Sequence, residues 1–104
     1  MAEFLISYTT TAKIQLNAIF DYAAAYSYSR ALDLRKAIGD KLILLTKSPF
    51  IGKAATNVSI PIENSRVTVC KPYLIFYSVD LSQNVIYIES ILHEAQENLD
   101  WIFA

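Results

Sequence analysis

Tyr73-Leu-Ile-Phe-Tyr-Ser-Val79 is the stretch on which the fold turns. It is almost entirely apolar and rich in aromatic and β-branched side chains, as expected of a central strand. Before it, Arg66-Val-Thr-Val-Cys70 alternates between polar and apolar. After it, Asn84-Val-Ile-Tyr-Ile-Glu-Ser-Ile-Leu92 is again β-rich. The links Lys71-Pro72 and Asp80-Leu-Ser-Gln83 are short enough for hairpins, so the three strands pair antiparallel.

Upstream the period changes. Over residues 12–27, Leu16, Ile19, Phe20, Ala23 and Tyr26 recur at helical spacing, and Thr9, Thr10 and Thr11 are candidate N-caps. Ile14, Ala18, Tyr22 and Ala25 add a second apolar flank, which predicts a helix covered on two sides. Ser27 or Ser29 caps a second helix with a core stripe of Ala31, Leu34, Ile38, Leu42 and Leu45, and Pro49 stops it. Gly39 inside that helix costs about 1 kcal/mol relative to Ala. Close packing near Leu32 and Ile43 is one explanation for it. Two helices joined by a two- to three-residue turn make an αα-hairpin.

Residues 3–8 read as a first strand, 50–64 as loop with room for one short irregular strand, and 94–104 as the place for a short last helix. The order βααβββ(α) predicts an α+β fold in one domain spanning residues 1–104. Its helical hairpin packs on one face of a mostly antiparallel four-stranded sheet.

Composition agrees with a packed domain. The chain has 104 residues, 54 % hydrophobic and 18 % charged. A chain of this length buries roughly two-thirds of its unfolded surface, enough to fold without disulfides or metal. Such an apolar balance does not read as disorder; the chain either packs a dense core or keeps some apolar surface for a partner. Cys70 is the only cysteine, which fits a reducing compartment. The N-terminal apolar run is short and has no basic residues before it, so neither a leader nor a membrane span is expected and the cytosol is the default.

Charge is uneven along the chain. Residues 30–72 hold eight basic residues against Asp33, Asp40 and Glu63, a local +5. From Tyr73 onward there is no Lys or Arg, and five acidic residues give −5. These are either solvated faces or a basic patch for an acidic partner. A pI near 5.7 argues against affinity built on nucleic-acid phosphates. With two glycines and no cluster of His, Cys or carboxylates, neither a phosphate loop nor a metal site is expected, and no cofactor is implied.

Several local motifs resemble the RelE/ParE toxin superfamily. Lys71-Pro-Tyr-Leu-Ile-Phe-Tyr-Ser-Val-Asp80 is similar to its central-strand signature, and Arg66 to its recurrent arginine before that strand. Ser48-Pro-Phe-Ile-Gly52 resembles its Pro-x-x-Gly exit from the second helix, and Val85-Ile-Tyr-Ile-Glu-Ser-Ile-Leu-His-Glu-Ala-Gln96 the ParE-type ending. Together they cover roughly residues 12–96. RelE-type members, which are ribosome-dependent endoribonucleases, often carry an arginine where Leu74 stands, and a Lys-rich loop where this chain has only Lys53. A neutral face at Leu74 and Phe76 would hold an mRNA backbone poorly. The better match is the ParE-like, plasmid-stabilisation branch. That resemblance implies a toxin inhibiting DNA gyrase by binding, causing growth arrest, and neutralised by a cognate antitoxin encoded alongside.

Residue by residue, chemistry is thinly supplied. Cleavage of RNA at a 2′-hydroxyl needs a base, an acid and a cation, for which Glu89, His93 and Arg66 are the candidates. On a regular last strand Tyr87, Glu89, Ile91 and His93 share a face. His93 is otherwise a structural or interface residue. Arg66 should point away from Val67 and Val69, as an exposed strand charge or as a contact to target or antitoxin. Tyr73 and Tyr77 should share a core face with Ile75 and Val79, and Cys70 has no assigned chemistry. Trp101, Ile102 and Phe103 either dock on the sheet or form a recognition element. Candidate binding residues are therefore Leu32, Gly39, Ile43, Arg66, His93, Trp101 and Phe103, with the broad apolar arc of the first helix beside them.

Overall fold

The computed structural model describes residues 3–54 and 65–94. Its elements are β1 (Leu5–Tyr8), α1 (Thr10–Tyr26), α2 (Tyr28–Lys47), β2 (Lys53–Ala54), β3 (Ser65–Cys70), β4 (Tyr73–Asp80) and β5 (Val85–His93). Thr9 starts α1: its hydroxyl accepts from the Ala12 N–H at 3.1 Å. Ser27 serves both helices. Its N–H closes α1 on the Ala23 carbonyl, and its hydroxyl accepts from the Arg30 N–H at 3.3 Å to open α2. One residue between two helices forces the tight hairpin, and the Arg35 guanidinium lies 5.4 Å over the Phe20 ring across it.

The sheet runs β1-β5-β4-β3-β2. It has five strands where four were expected, because Lys53 and Ala54 pair with Val67 and Arg66 as the short edge strand β2. β3, β4 and β5 are antiparallel, with β4 central as its composition requires. β1 joins the far side of β5 in parallel, Leu5 opposite Val85 through Tyr8 opposite Ile88. The β4–β5 turn is built by Asp80, whose Oδ1 accepts from the Ser82 and Gln83 N–H groups, and by Asn84 at φ 55°.

Both helices lie on one face of the sheet. Ala12, Ile38, Leu42 and Leu45 pack there against Ile75, Tyr77, Ile86, Ile88 and Ile91. Burying such side chains contributes about 1.5–3 kcal/mol each. The opposite face carries a second cluster of Val67, Leu74 and Phe76, flanked by Val69 and Leu92. Leu74 and Phe76 are thus buried, at 0 % and 5 % exposure, and do not form the open neutral face expected of them. Aliphatic neighbours on β3 and β5 explain why.

Two helix expectations change. The second flank of α1 is bare: Ile14, Ala18, Tyr22 and Ala25 are all exposed, so the described fold covers α1 on one side only. A Cβ placed on Gly39 would meet nothing within 4 Å, so close packing does not explain that glycine. The short last helix expected in 94–104 lies outside the described residues but for Glu94.

Candidate partner-binding surface

The last strand is not regular. Phe76 pairs with Ser90 and Tyr77 with Ile88, so Glu89 is an extra residue, a β-bulge. The bulge breaks the period-two alternation by which Tyr87, Glu89, Ile91 and His93 were expected to share a face. Ile91 and His93 lie opposite Ile75 and Tyr73 on the helix side. The Glu89 carboxylate turns to the other face and accepts from the Ser78 hydroxyl at 2.6 Å. Helix α1 secures the irregularity. Thr9 Oγ1 donates to the Glu89 carbonyl at 2.8 Å, and Gln15 Oε1 accepts from the Ile91 N–H at 2.7 Å.

Arg66 stands elsewhere. It pairs with Tyr77, four residues along β4 from the Tyr73 that faces His93, or about 13 Å at the rise of a strand. Its Nη1 donates to the carbonyls of Gly52 and Phe50, and its guanidinium lies 4.9 Å over the Phe50 ring. As expected it points away from Val67 and Val69, but it is spent on holding the exit of α2. Tyr77 completes that node. Its hydroxyl donates to the Pro49 carbonyl at 2.8 Å and accepts from the Gly52 N–H at 3.0 Å. A Cβ on Gly52 would lie 2.6 Å from both the Tyr77 hydroxyl and the Val67 carbonyl, so only glycine fits.

Arg66, Glu89 and His93 are therefore spread over two faces and two ends of the sheet. These three do not converge as acid, base and cation. The single cysteine, Cys70, is buried, and that burial raises its pKa against the opposing pull of Lys41, which disfavours thiolate. Among the described residues no group of three His, Cys, Asp or Glu side chains could hold a metal ion, and no helix is long and apolar enough to cross a membrane.

What does converge is apolar and aromatic surface. A groove of about 620 Å³ opens between α1 and the ends of β4 and β5. Gln15, Ile19 and Tyr22 line it from the helix, and Tyr73, Leu92 and His93 from the strands. The Tyr73 and His93 rings meet edge-to-face at 5.5 Å, and Tyr22 leans on Tyr26 at 5.1 Å. Ala18 joins the groove to the bare flank of α1. Leu32 and Ile43, 46 % and 57 % exposed, make a separate patch on α2 around Gly39. Of the expected binding residues, His93 alone lies in the groove; Trp101 and Phe103 lie outside the described residues. Gln15 and Tyr73, the latter expected only in the core, were not among the expected binding residues, because only the helix–strand packing brings them together.

The description "ParE toxin of type II toxin-antitoxin system, parDE" matches residues 6–98 of this chain. The chain belongs to the ParE toxin family. The fold has solved counterparts. The chromosomal ParDE toxin–antitoxin system of P. aeruginosa aligns over 88 % of this chain and 96 % of its own, at TM-score 0.69 and 18 % identity. A RelBE toxin–antitoxin complex from Mycobacterium tuberculosis aligns over 88 % of this chain and 98 % of its own, at TM-score 0.54 and 21 % identity. At these identities the likeness is one of fold. No curated protein sequence matches the chain. In this ParE-family toxin the Pro49-to-Gly52 exit is held by Tyr77 and Arg66, away from the groove.

Proposed function

We propose that this ParE-family toxin acts by binding a protein target, with DNA gyrase the target its subfamily resemblance implies, and that a cognate antitoxin neutralises it in the cytosol. The observation that carries this reading is the dispersal of Arg66, Glu89 and His93. Arg66 is held on backbone carbonyls, Glu89 on Ser78, and His93 against Tyr73 on the other face. Acid–base catalysis needs its groups within hydrogen-bond reach of one reacting centre. The unburied apolar surface on α1 and around Gly39 supports a role in association instead. That the two solved structures described above are toxin–antitoxin systems supports an antitoxin as one partner.

The test is expression of the chain in bacteria, alone and with the product of the neighbouring gene. The expected result is growth arrest with a DNA-damage response, relieved by the neighbour, and loss of supercoiling when purified chain is added to gyrase. Codon-positioned mRNA cleavage abolished by Arg66→Ala or His93→Ala would replace it with a RelE-type ribosome-dependent endoribonuclease. Harmless expression with tight antitoxin binding would mark a decayed toxin.

A further inference from the structure

We infer that the groove between α1 and the ends of β4 and β5 receives an Arg or Lys side chain from the antitoxin segment lying along the bare flank of α1. The inference rests on the reading of the chain as an antitoxin-neutralised toxin. Three observations point to a cation. First, the groove is lined by three rings: Tyr22, 66 % exposed, from α1, and the Tyr73–His93 pair from the strands. A guanidinium or ammonium within about 6 Å of such a ring is attracted by its quadrupole.

Second, both walls lack positive side chains. Past Lys13, α1 has neither Lys nor Arg, and from Tyr73 to the C-terminus there is none. Asp21 and Glu94 stand next in sequence to Tyr22 and His93 and add negative charge. The nearest cation in sequence is Lys71, in the β3–β4 turn two residues before Tyr73. The chain's other basic residues belong to α2, β2 and β3. A phosphate, whether of nucleic acid or of lipid, would meet the wrong field here.

Third, the Gln15 side-chain oxygen in the groove lining is already engaged, accepting from the Ile91 N–H at 2.7 Å. The chain makes the same contact internally twice, Arg35 over Phe20 and Arg66 over Phe50. Ile14 and Ala18, exposed beside the groove, seat the apolar side of the same segment. An amphipathic segment with one cation is thus matched along its length.

The experiment measures binding of the full chain to the product of its neighbouring gene by calorimetry. Tyr22→Leu and Tyr73→Leu are expected to weaken the complex roughly three- to thirtyfold each, while Tyr22→Phe and Tyr73→Phe stay within about twofold. Changing each Lys and Arg of the antitoxin to Met in turn should find one whose loss is not additive with Tyr22→Leu. Tyr22 is exposed, so its variants keep the fold, and thermal unfolding checks this for those of Tyr73. Affinity unchanged by both Leu variants overturns the inference, as do Phe variants as weak as the Leu ones or strict additivity for every antitoxin cation. In each of those cases the antitoxin reading survives. Absence of any complex with the unaltered chain overturns both.

Discussion

Removing one oxygen at the end of α2 should reveal how that exit is held. Tyr77→Phe deletes the hydroxyl that donates to Pro49 and accepts from Gly52, while the fully buried ring stays in place. Gly52 is itself buried, so its N–H loses its partner where water does not reach it, a penalty of about 1–3 kcal/mol. The Pro49 carbonyl is half-exposed and can turn to water, so its share is smaller. The sum is about 2–3 kcal/mol, which for a chain of this length lowers Tm by about 10 °C. Urea unfolding should show a lower midpoint at unchanged slope. Gly52→Ala should also destabilise, since its Cβ meets the Tyr77 hydroxyl and the Val67 carbonyl at 2.6 Å. In the double variant the first of those clashes is gone, so the two losses should sum to less than their separate values. A Tm drop under about 3 °C for Tyr77→Phe, or strict additivity in the cycle, refutes the account.

Three further outcomes follow from the same geometry. Gln15→Leu strips the Ile91 N–H of its acceptor, at about 1–3 kcal/mol, and hydrogen exchange at Ile91 should speed up; an unchanged exchange rate would show that the bulge does not need α1. Burial raises the pKa of the Tyr77 hydroxyl against the lowering effects of Gly52 and Arg66, and likewise that of Tyr8 and of the Cys70 thiol. The folded state therefore favours their protonated forms, so stability is intact below the unfolded values near 9.0 and 10.0 and declines as pH rises through them; a Tm level from pH 8 to pH 11 would contradict this. Leu32→Lys with Ile43→Lys should change stability by at most about 1 kcal/mol, because both side chains are exposed, and should weaken antitoxin binding if the α2 patch is a contact; equal affinity removes that patch from the interface.

Most of the fold was legible because its signals are local. Ser27 can cap α2 and close α1 since its side chain and its own N–H serve different helices. Tyr73 to Asp80 reads as a central strand from its apolar run alone. The fifth strand was legible only as room for a short irregular strand within 50–64: Lys53 and Ala54 have no β pattern of their own, and Arg66 holds the turn before them against β3. Leu74 and Phe76 misled for a similar reason. Their alternation with Ile75 and Tyr77 was visible, but which face would find neighbours was set by Val67, Val69 and Leu92 on two other strands.

The site was less legible than the fold, and the reason is one residue. A period of two carried through β5 puts Glu89 and His93 together with Arg66 in reach of imagination as an acid–base set. The bulge at Glu89 shifts everything after it by one step, so Ile91 turns into the core and His93 follows it beneath α1. A bulge leaves the ladder short of partners, and Thr9 and Gln15 supply them from the helix. Those two bonds tie α1 and its cap to β5 beside the groove. The same distortion that separates a carboxylate from an imidazole places Ile91 and His93 on the helix side, where both line the groove. In this chain the β5 irregularity holds the Glu89 carboxylate on Ser78, on the opposite face of the sheet from His93, which is the geometry on which the proposed binding role rests.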